Sequence, residues 1–424
     1  MNSFLFSKYT IFFLSFFSLS IVRIVGEVSL SFLFIIITIP FWFDINFFKR
    51  NDNNVFFKVQ SLLFLILVVQ ILWVIFNNNT SILEQVKGIS VTVYGMVLIA
   101  FYYRAVLYDK NVIHWYVLGL FFRSFFFSNM IALRDLENNV GVEEDVIWKF
   151  QVFPRIVLFI MLVYLFFFKK KIIKKKKCSI IILLLFFLVA LIGMKTGVRS
   201  ASIPLLFLVV VGWFQIKKRF TNTYRTKKTL IVVASVLYFL YSFFYVPNVL
   251  NGHIKGGNSI QLKYADNPYN PFHLLMIGRS DAIVPFYAFF DNPIIGWGYG
   301  TKDPDFKYHK LELQLQNQHE EFSDEYLVVE TIPGHSCIGY YSCSYGIIVF
   351  ICWIMILFII VKSYLKSLNF LDEWMLYKSY LFFSVLWGLF FSTMSYLKVG
   401  GGESIAILLA LLNINYNAFY RGIK

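Results

Sequence analysis

Three side chains of this chain, Arg199, Arg279 and His335, are of types that handle phosphate and protons. An arginine guanidinium presents a planar fork of donors that suits phosphate oxygens. A histidine has an unperturbed pKa of about 6.5, so it can accept a proton at neutral pH. Together the three residues predict two groups that bind an anion and one general base.

Arg199 begins an apolar helix in the segment TGVRSASIPLLFLVVV. One interpretation is an interfacial arginine that snorkels to lipid headgroups. The functional interpretation rests on the shortness of this helix and its early interruption by Pro204, because short or broken helices leave backbone groups free to face a ligand. An arginine at such a position is suited to phosphate oxygens.

Arg279 lies in MIGRSDAIVPFYAFFDNPIIGWGYG, and the stretch from Phe272 to Phe290 is apolar enough to form one interfacial helix. Alternatively, Arg279 pairs with Asp281 or with headgroups. The GWGYG run lacks the strand–turn–helix context of a nucleotide-binding loop, so it predicts a tight, close-packed turn instead.

His335 lies in TIPGHSCIGYYSCSYGIIVFICW, where a polar loop enters an apolar segment. A lone histidine is usually structural, but a histidine at the mouth of a bilayer can meet a lipid-linked substrate. His309 and His319 flank HKLELQLQNQHEEFSDEY, which predicts a solvated amphipathic helix or loop. A metal site at His319, Glu320 and Glu321 is the weaker alternative, because adjacent acids point in different directions on a helix.

The elements that must position these residues are membrane helices. The chain has 424 residues, of which 58% are hydrophobic and only 15% charged, against about 25% charged in soluble domains. Apolar runs of the roughly 20 residues needed to span a bilayer recur almost end to end. The composition predicts an all-α, polytopic helical membrane protein.

The net charge of +15 is concentrated in two short blocks, KKKIIKKKK at 169–177 and KKRFTNTYRTKK at 217–228, which hold 13 basic residues and no acid. Short loops rich in lysine and arginine mark the cytoplasmic side and meet anionic lipid headgroups. This pattern favours a membrane topology signal over nucleic-acid binding. The four cysteines form no metal-ligand framework, and the spacing of Cys337 and Cys343 disfavours a disulfide.

Counting outward from the two lysine-rich blocks predicts about twelve spans with both termini cytoplasmic. The spans are expected at Leu5–Ile24, Glu27–Phe43, Val55–Phe76, Val86–Leu107, Val112–Leu133, Val152–Phe168, Cys178–Met194, Ala201–Ile216, Thr229–Val246, Tyr341–Val361, Lys378–Leu397 and Ser404–Tyr420. Residues 1–247 then hold spans one to nine, with the Arg199 turn between the seventh and eighth, and 341–424 hold the last three. Residues 248–340 form one long extracytoplasmic loop with five of the six histidines.

The segment from about Ile192 to Phe350 resembles the O-antigen ligase and polymerase family of integral membrane glycosyltransferases. VRSA around Arg199 resembles the family's Ser-Arg-Gly-type motif, and GRSDAIVPFYAFFDNPIIGWGYG resembles its Arg…aromatic…Pro-x-x-Gly-x-Gly block. GHSCIGYYSCSYGIIVF is similar to its His-Asn/Ser…Gly block. Three positions depart from the pattern: Ser336 replaces the usual asparagine, Gly339 a leucine and Ser344 a frequent glutamate.

The resemblance implies transfer of a glycan from a polyprenyl diphosphate carrier to a sugar hydroxyl, without a metal or other cofactor. Arg199 and Arg279 would stabilise the diphosphate as it leaves, and His335 would be the base or orienting group. The partners implied are a carrier-linked donor and acceptor, membrane lipids and a chain-length regulator protein. The expected location is the bacterial inner membrane, with the active site facing the periplasm.

Within that family the acceptor separates an O-antigen polymerase, which extends another carrier-linked repeat unit, from an O-antigen ligase, which glycosylates lipid A-core. The idiosyncratic composition and the altered histidine block favour the polymerase. A flippase for the same lipid-linked sugar is a lesser alternative, because it would show two pseudo-repeated halves, charged residues within its spans and short loops throughout.

Overall fold

In the computed structural model the described residues are mostly α-helical, which confirms the predicted all-α class. The structure describes residues 2–19, 21–23, 27–44, 54–76, 81–126, 152–174, 176–196, 198–216, 235, 238–239, 241–252, 265, 267–316, 331–368, 372–398 and 400–422. Most buried apolar side chains belong to one core shared by the long helices. A second, smaller core lies in the region predicted as the long loop.

The α-helices of the described residues follow one another along the chain. They are α1 (Asn2–Leu5), α2 (Lys8–Phe16), α3 (Leu30–Ile37), α4 (Ile39–Trp42), α5 (Asn54–Phe76), α6 (Ile82–Tyr108), α7 (Val112–Phe126), α8 (Phe153–Val163), α9 (Lys169–Lys174), α10 (Lys176–Lys195), α11 (Arg199–Ile216), α12 (Val246–Leu250), α13 (Pro271–Gly278), α14 (Ser280–Asp291), α15 (Lys307–Leu315), α16 (Cys337–Tyr345), α17 (Ile347–Ser367), α18 (Met375–Phe391) and α19 (Gly401–Gly422). Strands β1 (Ile21–Arg23) and β2 (Glu27–Ser29) pair antiparallel, with Ile21 opposite Ser29. A π-helical turn, Tyr164–Phe168, joins α8 to α9.

Several of these helices have the length and composition of membrane spans. Among the described residues, four are long and apolar enough to cross a bilayer: Val55–Phe76, Ile82–Tyr108, Cys178–Lys195 and Ile347–Ser367. Four shorter apolar helices accompany them: Val112–Phe126, Ala201–Ile216, Met375–Phe391 and Gly401–Asn413. The helical, membrane-type architecture is therefore supported, and the count of twelve spans stays a prediction.

The N-terminal region differs from the two continuous spans expected at Leu5–Ile24 and Glu27–Phe43. The first helix gives way to a hairpin, and Ser29 leaves that hairpin to cap α3 by accepting from the Phe32 N–H at 3.2 Å. Helix α3 ends at Thr38, whose hydroxyl bonds back to the Phe34 carbonyl oxygen at 2.8 Å. Pro40 follows and lacks the N–H that a continuing helix needs. Most of the expected span Thr229–Val246 lies outside the described residues.

Glycines allow the helices of the bundle to approach one another closely. Helices α10 and α11 form an antiparallel hairpin, in which a β-carbon at Gly212 would lie 2.8 Å from a Leu183 methyl carbon. In the α6–α19 pair, a β-carbon at Gly402 would lie 3.5 Å from the Gly95 carbonyl oxygen. Small residues are typical of contacts between membrane helices, because they bring the two backbones into van der Waals contact.

Candidate active site

His335 is held at the start of α16 by local sequence. Ser336 is the N-cap of this helix, and its hydroxyl accepts from the Gly339 N–H at 3.0 Å. The backbone N–H of His335 donates to the Asp281 carbonyl oxygen at 3.1 Å. Asp281 itself lies in the first turn of α14, where the helix dipole favours an acidic side chain. The two helix starts therefore meet at His335 and Asp281.

The side chains of His335 and Asp281 also face each other. Nδ1 of His335 lies 3.2 Å from Oδ2 of Asp281, and the histidine side chain is 56% exposed. A carboxylate beside Nδ1 favours the tautomer that carries its proton there, which leaves Nε2 as the acceptor. Within the part of the chain that the structure describes, Nε2 has no hydrogen-bond partner. This is the geometry of a general base oriented by a carboxylate.

Arg279 lies at a break between α13 and α14. The stretch from Phe272 to Phe290 was expected to form one helix, and that expectation is wrong: Arg279 has non-helical backbone angles (φ −144°, ψ 30°). Its half-buried guanidinium carbon lies 5.6 Å from the ring of Trp387 and 5.9 Å from that of Phe391, both on α18. Burial lowers the pKa of Arg279, and the Asp281 carboxylate partly opposes this shift.

Arg199 is the first residue of α11, but its side chain lies outside the described residues. The position of its backbone along the helix axes follows from the antiparallel packing of α11 on α18. In this packing the rings of Phe207 and Phe383 stack with their centres 4.7 Å apart. Arg199 precedes Phe207 by eight positions, and Phe391 follows Phe383 by eight. Equal rises along antiparallel helices bring the start of α11 level with Phe391, the α18 residue whose ring Arg279 contacts.

The GWGYG run packs against the end of α16, as the predicted tight turn. The N–H groups of Trp297 and Gly298 donate to the carbonyl oxygens of Cys343 and Ser344, both at 2.8 Å. Gly296 has φ +79°, and a β-carbon there would lie 2.6 Å from the Ser344 carbonyl oxygen. The turn can therefore approach the α16 backbone only with glycine at this position.

Helices from the first half of the chain hold the other side of the same turn. The Trp73 indole on α5 donates to the Ile295 carbonyl oxygen at 3.0 Å. Gln85 on α6 is buried, and its amide nitrogen donates to the Tyr299 carbonyl oxygen at 2.9 Å. Neither anchor was anticipated from the sequence, where this half appeared as a generic helix bundle.

The structure gives physical roles to two of the three positions that depart from the family pattern. Serine and asparagine are both strong N-caps, and Ser336 is the N-cap of α16. A β-carbon at Gly339 would lie 3.0 Å from the Phe286 ring, so glycine allows α14 to pack closely on α16. Ser344 is buried, and nothing in the structure explains serine there.

Helix α15 adds polar groups that sequence reasoning missed. Gln316, just after this helix, donates from its amide nitrogen to the Ser280 hydroxyl at 2.8 Å. Burial raises the pKa of Glu312, the nearby charge of Asp281 raises it further, and His309 opposes the shift. The sequence predicts Asp281 only as a partner for Arg279, because the two are close in sequence.

His309 makes its contacts outside the His335–Asp281 pair. His309 binds the buried Asp303 through Nδ1 at 2.7 Å, and the same carboxylate caps α15 by accepting from the Tyr308 N–H at 3.0 Å. The amphipathic helix expected here is confirmed for 307–315, whereas His253, His319, Glu320 and Glu321 lie outside the described residues. In the described part of the chain, no group of three or more histidine, cysteine or acidic side chains is arranged to hold a metal ion. Cys337 and Cys343 are free thiols.

Comparison with known proteins adds no relative. No protein-family model matches the chain, and no curated protein sequence matches it at a significant level.

Proposed function

We propose that this protein is an integral membrane glycosyltransferase that transfers a glycan from a polyprenyl diphosphate carrier to the sugar hydroxyl of another lipid-linked repeat unit, as an O-antigen polymerase does. The observation that carries the proposal is the pairing of His335 with Asp281 beside the half-buried Arg279. A base and an anion-binding group are the two functions that this transfer needs.

In the proposed reaction, the acceptor hydroxyl gives its proton to Nε2 of His335 as its oxygen attacks the anomeric carbon. The bond between that carbon and the phosphate oxygen breaks, and its electron pair leaves with the carrier diphosphate. In-line attack inverts the anomeric centre. Asp281 stabilises the imidazolium that forms, because its carboxylate faces Nδ1 at 3.2 Å.

Arg279 and Arg199 bind the departing diphosphate in this proposal. Arg279 is held by two aromatic rings of α18, so its guanidinium is oriented before the substrate arrives. The level of the α11 start supports a second arginine at the same end of the bundle. The reaction is metal-independent, and the two guanidinium groups take the charge-stabilising role that Mg²⁺ takes in many other transferases.

The proposed setting is the bacterial inner membrane, with both termini cytoplasmic and the site facing the periplasm. The lysine-rich block at 169–177 supports this orientation through the positive-inside rule. The directions of the packed helices are compatible with it, because α11 lies antiparallel to both α10 and α18. Reporter fusions after Lys174 and within 253–264 test the orientation; active periplasmic reporter at the first position would overturn it.

The function is tested by deleting the gene and restoring it as wild type, His335→Ala or His273→Ala, with surface glycan separated on gels. Deletion is expected to abolish the ladder of glycan lengths and to leave a single repeat unit. Wild type and His273→Ala are expected to restore the ladder, whereas His335→Ala is not. His273 is the matched control, because it lies on α13 of the same region and no hydrogen bond or ion pair among the described residues joins it to His335, Asp281 or Arg279. A full ladder from His335→Ala at a normal protein level would contradict the proposal.

The same gels distinguish the alternatives by the intermediate that accumulates. Loss of every repeat unit from lipid A-core, with polymer still on the carrier, identifies an O-antigen ligase. Lipid-linked units trapped in the inner leaflet identify a flippase. Loss of a chain-length regulator protein would change the distribution of ladder lengths without abolishing polymerisation.

A further inference from the structure

A second polar site lies at the end of the bundle opposite His335. It is a cavity of about 520 Å³ between the start of α7 and the π-helical turn that leads into α9. This volume is within the range of roughly 300–1,000 Å³ typical of small-ligand pockets. Helix α18 runs between the two sites. Trp374, just before its start, contacts Lys169 of this cavity, and Phe391 at its end contacts Arg279.

The lining of the cavity is basic and aromatic. Three consecutive lysines, Lys169, Lys170 and Lys171, contribute to it, and none of the described residues that line it is acidic. The aromatic part of the wall is formed by Trp115, Phe166 and Phe167. A wall with both properties suits a ligand that is anionic at one end and apolar at the other.

Lys169 is the fixed member of the lysine group. It is only 5% exposed, and its ammonium lies 3.8 Å from the centre of the Trp374 ring. Glu373 is the nearby carboxylate, but the N···O distance of 3.8 Å is beyond hydrogen-bond reach. The ammonium is therefore held in place while it keeps donors that an anionic ligand can accept from.

The aromatic wall indicates a lipid as the source of the anion. Phe166 and Phe167 of the π-helical turn are 48% and 66% exposed, so their rings are accessible to acyl chains. Tryptophan is typical of the membrane–water interface, which fits the position of Trp115 one turn into α7. The π-helical turn itself is a feature frequent at functional sites.

We propose that this cavity binds the phosphate of an anionic membrane phospholipid, with its acyl chains against Phe166 and Phe167. The lysines of the cavity, with Lys169 held in place, recognise the phosphate. A soluble phosphate offers the same anion, so the test must separate the two sources. The proposal is independent of the glycan transfer proposed above.

The test uses the full chain in detergent, titrated with fluorescent phosphatidylglycerol and competed by phosphatidylcholine or by glycerol phosphate. The wild type is expected to bind phosphatidylglycerol, and neither phosphatidylcholine nor glycerol phosphate is expected to displace it. The double variant Lys170→Gln/Lys171→Gln is expected to bind at least roughly tenfold more weakly, because each lysine near a lipid surface contributes to the attraction. Both lysines are exposed, so the fold is expected to survive.

The matched control is Lys362→Gln/Lys366→Gln, which removes the same charge from exposed positions near the end of α17, outside the cavity. It is expected to bind phosphatidylglycerol like the wild type. An equal loss in this control would mean general surface attraction and would overturn the site. Effective competition by glycerol phosphate would overturn the lipid source, and equal binding of phosphatidylcholine would overturn the role of charge.

Discussion

His335 and Asp281 are connected twice, once through the backbone and once through their side chains. The His335 N–H donates to the Asp281 carbonyl oxygen at 3.1 Å, and Nδ1 lies 3.2 Å from Oδ2. The backbone bond joins the two helix starts, and the carboxylate lies at ion-pair distance from the imidazole. A pair built in this way orients a base before any substrate binds.

The first prediction is that Asp281 and His335 act as one unit. His335→Ala is expected to lower glycan transfer by about 10²–10⁴-fold, which is the usual contribution of a general base. Asp281→Ala is expected to lower it less, since the backbone bond remains. The double variant should be no worse than His335→Ala alone, because the carboxylate acts only through the imidazole. Rates measured on purified protein with a lipid-linked donor check this, and additive losses would contradict it.

The second prediction concerns the shape of the Arg279 side chain. Arg279→Lys keeps the positive charge but loses the planar fork that lies over the Trp387 ring. Transfer is expected to fall roughly tenfold or more, since hydrogen bonds to charged groups contribute about 1.5–3 kcal/mol. Arg155→Lys is the matched control, because Arg155 also lies over an aromatic ring, Phe125, at 4.6 Å. A wild-type rate of transfer in Arg279→Lys would show that the reaction does not need the planar guanidinium.

The third prediction concerns the contact between the GWGYG turn and α16. Gly346 has φ +79°, and a β-carbon there would lie 2.7 Å from the Ile294 carbonyl carbon. Gly400 has φ +81° but has nothing within 4 Å of such a β-carbon. Both alanine variants acquire backbone strain of about 1–3 kcal/mol, whereas only Gly346→Ala displaces the turn. Its unfolding midpoint in detergent is therefore expected to fall further than that of Gly400→Ala, and equal shifts would count against the close contact.

The fourth prediction is a pH dependence of stability that arises from Glu312. Burial and the charge of Asp281 raise the pKa of Glu312 above its ordinary value of 4.5. A carboxyl with a raised pKa contributes stability that is fully present below pH 4.5 and is lost as the pH rises through the folded-state pKa. Glu312→Gln is expected to be as stable as the wild type, or more stable, at pH 7. Its advantage should vanish below pH 4.5 in unfolding midpoints measured across that range, and a less stable variant at pH 7 would contradict the sign.

Local patterns allowed part of the site to be predicted. His335 was recognised because it lies where a polar loop enters an apolar segment, and the tight turn at GWGYG was recognised from its glycines. The pairing of His335 with Asp281 was not, since the two residues are separated by more than 50 positions and meet only where α14 packs on α16. The break at Arg279 was also missed, because the stretch around it is uniformly apolar.

The sequence by itself determined the helical membrane class and the residue types of the candidate site. These are local properties: apolar runs long enough to cross a bilayer, blocks of lysine, and arginine and histidine beside apolar segments. Only the tertiary structure decided which groups meet. It supplied Asp281 for His335, the aromatic rings of α18 for Arg279, and α5 and α6 as the supports of the GWGYG turn. Contacts between distant helices depend on side-chain packing and close backbone approach, which no single segment encodes.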